Sequence, residues 1–313
     1  MPAMATPRVT RWISYRPPMP GKQFELTTAE GRRLEAIRDG AEQGPLVVLH
    51  HGTPGSAHEI WPGNVEQAAA RGIRLAGYSR PGGGASERHP GRSVADCAAD
   101  AAAVADALGA DRFYTLGGSG GGPHALACAA LRPDRVIAAA TIAGVAPRDA
   151  EGLDWLDGMG EENHDEFAAA QAGPAALEEF IAGWMSQLRE VTGEAVLGSL
   201  GDLVSEPDAA VLTGDYADFA ADGIRHSVSN GYWGWLDDDL AILADWGFAL
   251  DGIEVPVSIW QGRQDRFVPP AHGEWLAGRV TGAEVHLLDD HGHLSLALGH
   301  FGEILDELVA GGA

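Results

Sequence analysis

The chain has 313 residues, of which 45% are hydrophobic and 21% charged, a composition typical of a globular protein rather than a disordered one. Acidic residues outnumber basic residues by 45 to 21, which gives a formal net charge of −24. This charge repels phosphate backbones and anionic lipid surfaces, so it argues against nucleic acid and membranes as partners. The two cysteines are too few for a disulfide or metal framework.

The N-terminal residues read MPAMATPRVTRW and have no apolar core of the length found in signal peptides. No run in the chain approaches the roughly eighteen apolar residues of a membrane span. We therefore expect a cytoplasmic protein, although an expressed fragment could have lost a leader.

Short apolar runs alternate with glycine-rich turns and amphipathic segments from residue 44 onward. The predicted strands are 45–50, 73–79, 112–116 and 136–144, and the predicted helices between them are 56–72, 93–110 and 124–133. Residues 22–40 resemble a hairpin of two earlier strands. Regular alternation of this kind predicts parallel strands joined by crossover helices, which form an open α/β sheet.

The alternation stops after residue 146 and resumes with predicted strands at 255–260 and 283–289 and a closing helix at 301–311. Between them the chain is helical, acidic and rich in glycine and tryptophan, with no convincing buried strand. We therefore predict a core in two parts, residues 20–146 and 244–313, with a helical cap at 147–243 inserted between them.

A glycine-rich loop at residues 114–125 reads YTLGGSGGGPHA and follows a predicted strand. A phosphate-binding loop of the Walker type needs Gly-Lys-Ser/Thr, and no lysine occurs here; a dinucleotide fingerprint needs glycine where Pro123 stands. The residues fit Gly117-x-Ser119-x-Gly121 between a strand and a helix, a sharp turn that raises a serine hydroxyl above the sheet edge. Side chains at the flanking positions would clash in such a turn.

A nucleophilic serine needs a base, and the base needs an acid that orients it. Asp265 follows the 255–260 strand in WQGRQDRFVP, and His293 follows the 283–289 strand in DHGHLSLA. The order Ser119, Asp265, His293, each beyond a successive strand, is the order expected of a serine triad on a parallel sheet.

From about residue 20 to its C-terminus the chain resembles the α/β-hydrolases. The motifs that carry the resemblance are HHGTPGS (50–56), GYSRPGGGAS (77–86), LGGSGGGPHALA (116–127), WQGRQDRFVP (260–269) and HGHLS (291–295). The resemblance implies an α/β fold with a mostly parallel central sheet flanked by helices and a helical cap after the sixth strand. It implies nothing definite about the substrate.

The segment His51-Gly52-Thr53-Pro54 resembles the oxyanion loop of that family. This resemblance implies that the oxyanion donors are the backbone amides of Thr53 and Gly120. The family often has aspartate where Ser79 stands, so this position departs from the pattern. The implied mechanism is acyl transfer onto Ser119, and it requires no metal and no organic cofactor.

Several residues have alternative interpretations. His291 and His293 are spaced like a metal pair, but the sequence lacks the denser clusters of a metallohydrolase. His124 lies five positions after Ser119, where a structural or surface histidine is a better interpretation than a base. Asp149 is a substitute for Asp265 as the acid, because some relatives place the acid after the sixth strand.

Tryptophans of the predicted cap either form its own core or line an apolar acyl or alcohol pocket. The candidates for a pocket are Trp155, Trp184 and Trp233, with Trp235 beside them.

Three functions remain open, all on a small-molecule ligand, and the oligomeric state is not determined by the sequence. The first is a serine hydrolase of small to medium carboxylic esters, lactones or thioesters. The second is an aminopeptidase similar to proline iminopeptidases, with Glu161 and Glu162 holding the substrate ammonium, although the tryptophan usual after the serine is Gly120 here. The third is a ligand receptor without hydrolytic activity. An epoxide hydrolase or dehalogenase would need a carboxylate at position 119.

Overall fold

The computed structural model describes residues 21–312, so the N-terminal segment that bears on a signal peptide lies outside the described residues. The strands are β1 Lys22–Thr27, β2 Arg33–Gly40, β3 Leu46–His50, β4 Arg74–Tyr78, β5 Phe113–Gly118, β6 Val136–Ile142, β7 Val257–Gly262 and β8 Glu284–Leu288. The helices are α1 Pro62–Ala70, α2 Cys97–Ala107, α3 Gly122–Leu131, α4 Glu161–Ala172, α5 Pro174–Glu190, α6 Gly193–Ser199, α7 Glu206–Val211, α8 Gly214–Ser227, α9 Trp233–Leu243, α10 Pro270–Ala277, α11 His293–Gly299 and α12 Phe301–Ala310.

The eight strands form one sheet in the order β1-β2-β4-β3-β5-β6-β7-β8. The pairs β1·β2 and β2·β4 are antiparallel, and every other neighbouring pair is parallel. The early hairpin and the parallel sheet that the sequence predicts are therefore confirmed. Helices cover both faces of the sheet, so the central strands are rich in apolar residues. In β7, for example, all six residues are buried.

Two hydrophobic layers lie on opposite faces of the sheet. Helices α2, α3 and α10 pack on one face, around residues such as Val104, Leu126 and Leu276. Helices α1, α11 and α12 pack on the other face, around residues such as Ala68 and Ile304. Each crossover helix buries its apolar side against the sheet, which gives the three-layer arrangement expected of βαβ units.

Six helices, α4 to α9, lie between β6 and β7, and this part of the described chain contains no strand. All six fall within residues 147–243, the segment predicted as a cap, and the division of the chain into domains at those limits stays a prediction. None of the helices among residues 21–312 is long and apolar enough to cross a membrane.

Candidate active site

The serine turn joins the end of β5 to the start of α3. Ser119 has a φ of 54°, a left-handed conformation that residues other than glycine rarely adopt. A Cβ at Gly117 would lie 2.1 Å from the carbonyl oxygen of Gly121, and a Cβ at Gly121 would lie 2.2 Å from that of His50. Neither flanking position accepts a side chain, so the glycines permit the turn, and its backbone strain is located at Ser119.

A carboxylate and an imidazole meet beyond the ends of β7 and β8. Oδ2 of Asp265 lies 2.7 Å from Nδ1 of His293. Oδ1 of Asp265 accepts the backbone N–H groups of Phe267 and Val268, each at 2.9 Å, and the Gln261 amide donates to Oδ2 at 3.3 Å. Because Asp265 is only 3% exposed, protein groups rather than water hold its carboxylate in place.

The protonation of His293 is governed by this carboxylate. Burial lowers the pKa of His293, but the charge and the hydrogen bond of Asp265 outweigh burial, and the charge of Asp208 adds to them, so the pKa is raised. With Nδ1 donating to Asp265, Nε2 is the nitrogen that remains to take up a proton.

Asp208, on α7, also fixes the segment that carries the histidine. Its two oxygens accept the backbone N–H groups of His293, Leu294 and Ser295 at 2.8 to 2.9 Å, so it caps the start of α11. The sequence analysis did not identify this residue, because the capping side chain comes from a helix 85 positions earlier in the chain.

The predicted oxyanion residues lie beside the serine. A Cβ on Gly52 would lie 3.5 Å from Cβ of Ser119, and a Cβ on Gly120 would lie 2.6 Å from Oγ1 of Thr53. Ser119, Thr53 and His293 line one cavity. The structure therefore brings the predicted nucleophile, base, acid and oxyanion donors to one edge of the sheet.

The alternative acid and base lie in unsuitable positions. Asp149 is exposed, whereas Asp265 is bonded to the histidine. His124 is fully buried, and its Nδ1–H donates to the carbonyl oxygen of Gly120 at 2.8 Å. Burial lowers the pKa of His124 strongly, and the positive charge of Arg80 lowers it further, so this imidazole is a neutral structural group.

Two groups of residues were considered as metal ligands. His291 packs against another histidine ring while His293 is bonded to its carboxylate, so the two do not form a metal pair. Glu35, His58 and His226 bring ligand atoms within 4.8 Å of one another. However, the two imidazoles are stacked, with centroids 3.5 Å apart and planes 10° apart, so their lone pairs run side by side instead of converging on an ion. We assign no metal to either group.

A cavity of about 430 Å³ opens at Ser119. Its walls are predominantly apolar, with Leu116 and Ile142 from the sheet and aromatic side chains from the helices between β6 and β7. The aromatic side chains of those helices that line it are Phe180, Trp184, Tyr216, Phe219 and Trp235. An apolar chamber of this size fits an acyl or alkyl group of a small-molecule substrate.

Of the three tryptophans predicted for the pocket, Trp184 alone lines the cavity. Trp155 is 1% exposed, and its indole N–H donates to the carbonyl oxygen of Ala146 at 2.7 Å. Trp233 lies under the guanidinium of Arg88, 4.0 Å from the ring centroid. The pocket assignments of Trp155 and Trp233 are therefore corrected, because both indoles are engaged by protein groups away from the cavity.

Sequence reasoning also missed a pair of carboxyl groups beside the serine, the buried Asp239 and the half-buried Glu166. Glu166 and Asp239 line a second, small cavity of about 60 Å³ together with Ser119. The Trp235 indole donates to Glu166 Oε1 at 2.6 Å. Burial raises the pKa of both groups, and the charge of Glu166 raises that of Asp239 further. Two adjacent carboxyl groups repel each other when both are ionised, so each one ionises more easily while the other holds a proton.

A third carboxyl group, that of the half-buried Glu59, lines the larger cavity. Burial raises its pKa to about 8, although its Oε1 accepts the backbone N–H of Ser56 at 2.9 Å.

One sequence signal was available for the acids on α9: three consecutive aspartates stand in the otherwise apolar segment WGWLDDDLAIL, a pattern unsuited to a solvated face.

This geometry agrees with the similarity of the chain to known proteins. A family model described as alpha/beta hydrolase fold matches residues 45–299. Epoxide hydrolase B of Mycobacterium tuberculosis is 28% identical over 199 residues, which are 56% of this chain and 55% of that protein. This chain therefore spans only about half the length of that relative.

Two other similarities extend over nearly the whole chain. A 2-hydroxy-6-oxononadienedioate/2-hydroxy-6-oxononatrienedioate hydrolase of Klebsiella pneumoniae is 25% identical over 299 residues, 90% of this chain and 93% of that protein. The solved structure of an alpha/beta hydrolase fold protein from Nakamurella multipartita has a TM-score of 0.61 and 26% identity, covering 93% of this chain and 100% of that one. With the family model matched over most of its length, the chain belongs to the α/β-hydrolase fold family.

Proposed function

We propose that the protein is a serine hydrolase that cleaves a small to medium carboxylic ester, lactone or thioester. The observation that carries this proposal is the His293–Asp265 hydrogen bond of 2.7 Å at the cavity that also holds the strained Ser119. A serine in this position is a nucleophile for an acyl carbon, whereas an epoxide hydrolase of this fold would need a carboxylate there.

In the proposed mechanism, Nε2 of His293 takes the proton from Ser119 as Oγ forms a bond to the substrate carbonyl carbon. The π electrons of the C=O bond move to its oxygen, which accepts hydrogen bonds from the amides of Thr53 and Gly120. The bond to the leaving group then breaks, and His293 returns the proton to it. A water molecule then attacks the acyl carbon of the acyl-enzyme while His293 takes its proton. The bond to Ser119 breaks, His293 returns the proton to Oγ, and the acid is released. Asp265 holds the imidazole in place throughout.

A substrate panel tests this proposal: p-nitrophenyl esters of increasing acyl length, with aminoacyl nitroanilides as the competing class. The apolar cavity predicts ester turnover that clearly exceeds nitroanilide turnover. Robust nitroanilide cleavage with no comparable ester turnover would contradict the ester assignment.

The cavity wall is expected to set acyl-chain preference. Replacing Trp184 with alanine removes a large apolar side chain from the wall, so the optimum on the ester panel should move to longer acyl chains. Acetyl ester turnover should stay within about threefold, because the chemistry at Ser119 is untouched. Trp233→Ala is the matched control, since Trp233 lies outside the cavity, and its chain-length profile should equal that of the wild type. Equal profiles for both variants would contradict the assignment of this cavity to the acyl group.

Aminopeptidase activity is the second candidate, and the carboxyl pair beside Ser119 is the observation that favours it. The two glutamates first predicted for the ammonium differ in position: Glu161 is exposed and lines neither cavity, whereas Glu162 lines the larger cavity and its pKa is raised by burial and by the charge of Asp202. Glu166 and Asp239 instead place two carboxyl groups in the small cavity beside Ser119, where an ionised carboxylate would attract a substrate ammonium.

Under this second function, Glu166→Gln should lower kcat/KM for aminoacyl esters by on the order of 10- to 100-fold, the magnitude of a charged hydrogen bond. N-acetylated esters of the same amino acids should be affected little, because they carry no ammonium group. Glu161→Gln serves as the control and should leave both classes unchanged. Equal effects of Glu166→Gln on free and acetylated esters would remove the aminopeptidase candidate.

A further inference from the structure

A buried guanidinium group holds the predicted oxyanion loop from beneath. Arg80, which is 1% exposed, donates from its Nη1 to the carbonyl oxygen of His51 at 2.6 Å and from its Nη2 to that of Gly52 at 2.7 Å. Nη2 also donates to Oγ1 of Thr53 at 3.1 Å. One side chain therefore contacts three consecutive residues of the loop, and the planar guanidinium fixes their relative orientation.

The counter-ion of this arginine comes from helix α9. Asp238 accepts the Nε–H of Arg80 at 2.9 Å and its Nη2–H at 2.6 Å, and it also pairs with Arg92. Burial alone would raise the pKa of Asp238, but the two guanidinium groups hold it well below its usual range. Asp238 is therefore a carboxylate, and its charge is neutralised within the protein.

The same carboxylate contacts the loop directly. Oγ1 of Thr53 donates its proton to Oδ2 of Asp238 at 3.0 Å. Oγ1 also accepts from Arg80, and its single proton is already directed to Asp238, so the backbone N–H is the donor of this residue that remains for an oxyanion.

His51 completes the arrangement. Its Nδ1–H donates to the carbonyl oxygen of Gly52 at 2.7 Å, and its Nε2 accepts the backbone N–H of Arg80 at 3.0 Å. Burial holds the pKa of His51 well below its ordinary value, and the charge of Arg80 adds to this effect, so the ring is neutral and both nitrogens are satisfied.

We propose that Arg80 and Asp238 are positioning residues that orient the Thr53 amide, so that helix α9 completes the oxyanion hole. This inference rests on the serine-hydrolase function proposed above. Neither residue touches the reacting atoms; each acts through the backbone of the loop. An oxyanion donor is effective only when its N–H points at the developing charge, so a displaced Thr53 amide weakens transition-state binding more than substrate binding.

Inhibitor selectivity tests the proposal. The first inhibitor is a phenethyl trifluoromethyl ketone, which forms a covalent adduct with the serine. Oγ of Ser119 bonds to the carbonyl carbon, the C=O π electrons move to the oxygen to form an oxyanion, and the serine proton passes to His293. The second inhibitor is the matched methyl ketone, which binds in the cavity without forming this adduct, so its affinity measures cavity binding alone. We expect Asp238→Asn to lower kcat by about 10- to 100-fold with KM nearly unchanged, and to weaken the trifluoromethyl ketone by a similar factor while methyl ketone binding is retained.

Asp237→Asn is the control for Asp238→Asn. Asp237 is also a buried carboxylate of α9 paired with an arginine, but its partner is Arg88, outside the oxyanion loop. Its selectivity between the two ketones should equal that of the wild type. Equal selectivity in both aspartate variants would overturn the proposal, whatever their melting temperatures.

If Asp238→Asn does not fold, Thr53→Val tests the same proposed contacts between Asp238, Arg80 and the oxyanion loop. Valine keeps the shape of threonine and the backbone N–H but loses both hydroxyl contacts, so the trifluoromethyl ketone should bind about tenfold more weakly. Thr53→Ser, which restores the hydroxyl, should recover most of that loss. Wild-type selectivity in Thr53→Val would overturn the proposal. A wild-type protein that binds both ketones alike would instead overturn the serine-hydrolase function, and the inference with it.

Discussion

Replacing Ser119 with alanine is expected to lower kcat by about 10⁶-fold, as removal of the nucleophile does in other serine triads. The effect is large because the hydroxyl forms the covalent bond to the acyl group, and nothing else at the strained turn supplies a nucleophile. Ester hydrolysis and labelling by a fluorophosphonate probe, in which Oγ displaces fluoride from phosphorus, should both disappear.

Ser199→Ala is the matched control for this variant. Ser199 lines the same cavity, but its hydroxyl donates to the carbonyl oxygen of Val196 within its own helix. We expect wild-type labelling and turnover in this variant. Peptide mapping that finds the probe on a residue other than Ser119 in the wild-type protein would contradict the proposed mechanism.

Replacing Asp265 with asparagine is expected to lower kcat by about 10⁴-fold with the fold retained. The Asp265 carboxylate accepts the Nδ1–H of His293, so it selects the tautomer in which Nε2 is free to take up a proton. An amide at this position favours the other tautomer and no longer stabilises the imidazolium. Circular dichroism and a thermal melt measure the fold, and ester turnover measures the loss.

The pH dependence of this variant gives an independent readout. Only the neutral imidazole acts as a base, so wild-type kcat/KM should fall as the pH drops through the pKa of His293, which Asp265 raises. Without the carboxylate that pKa falls, and the residual activity should persist to lower pH. Asp149→Asn, at an exposed position, should behave as the wild type. The acid would have to be reassigned if Asp149→Asn were inactive and Asp265→Asn active.

Much of the fold and the core of the candidate site are predictable from local patterns. Strands β3, β5 and β7 are buried over most of their length because helices cover both faces of the sheet, so each is recognisable as a short and largely apolar run. The turn at Ser119 is recognisable because close backbone contacts require glycine at positions 117 and 121. Parallel strands end at the same edge, so the order of Ser119, Asp265 and His293 along the chain predicts that they lie close together.

The helices between β6 and β7 show the limit of such reasoning. Trp233 and Trp235 stand two positions apart on α9, about 200° around the helix, so they point in different directions. Trp235 lines the cavity and Trp233 lies under Arg88. An amphipathic pattern shows that a helix packs against other elements. It does not show which of its apolar residues face a cavity, because residues that face the core and residues that face an apolar cavity are both apolar.

The sequence by itself determined the class of fold, the serine turn and the chain order of the predicted triad, because each depends on residues that are neighbours in the chain or on the rule that parallel strands share an edge. Only the tertiary structure decided which carboxyl groups are buried together. Arg80 and Asp238 are 158 positions apart in the chain. Glu166 lies on α4, and its partner Asp239 lies on α9. Their pairing and protonation depend on desolvation and on the distance between charges, and both quantities exist only once the helices are packed.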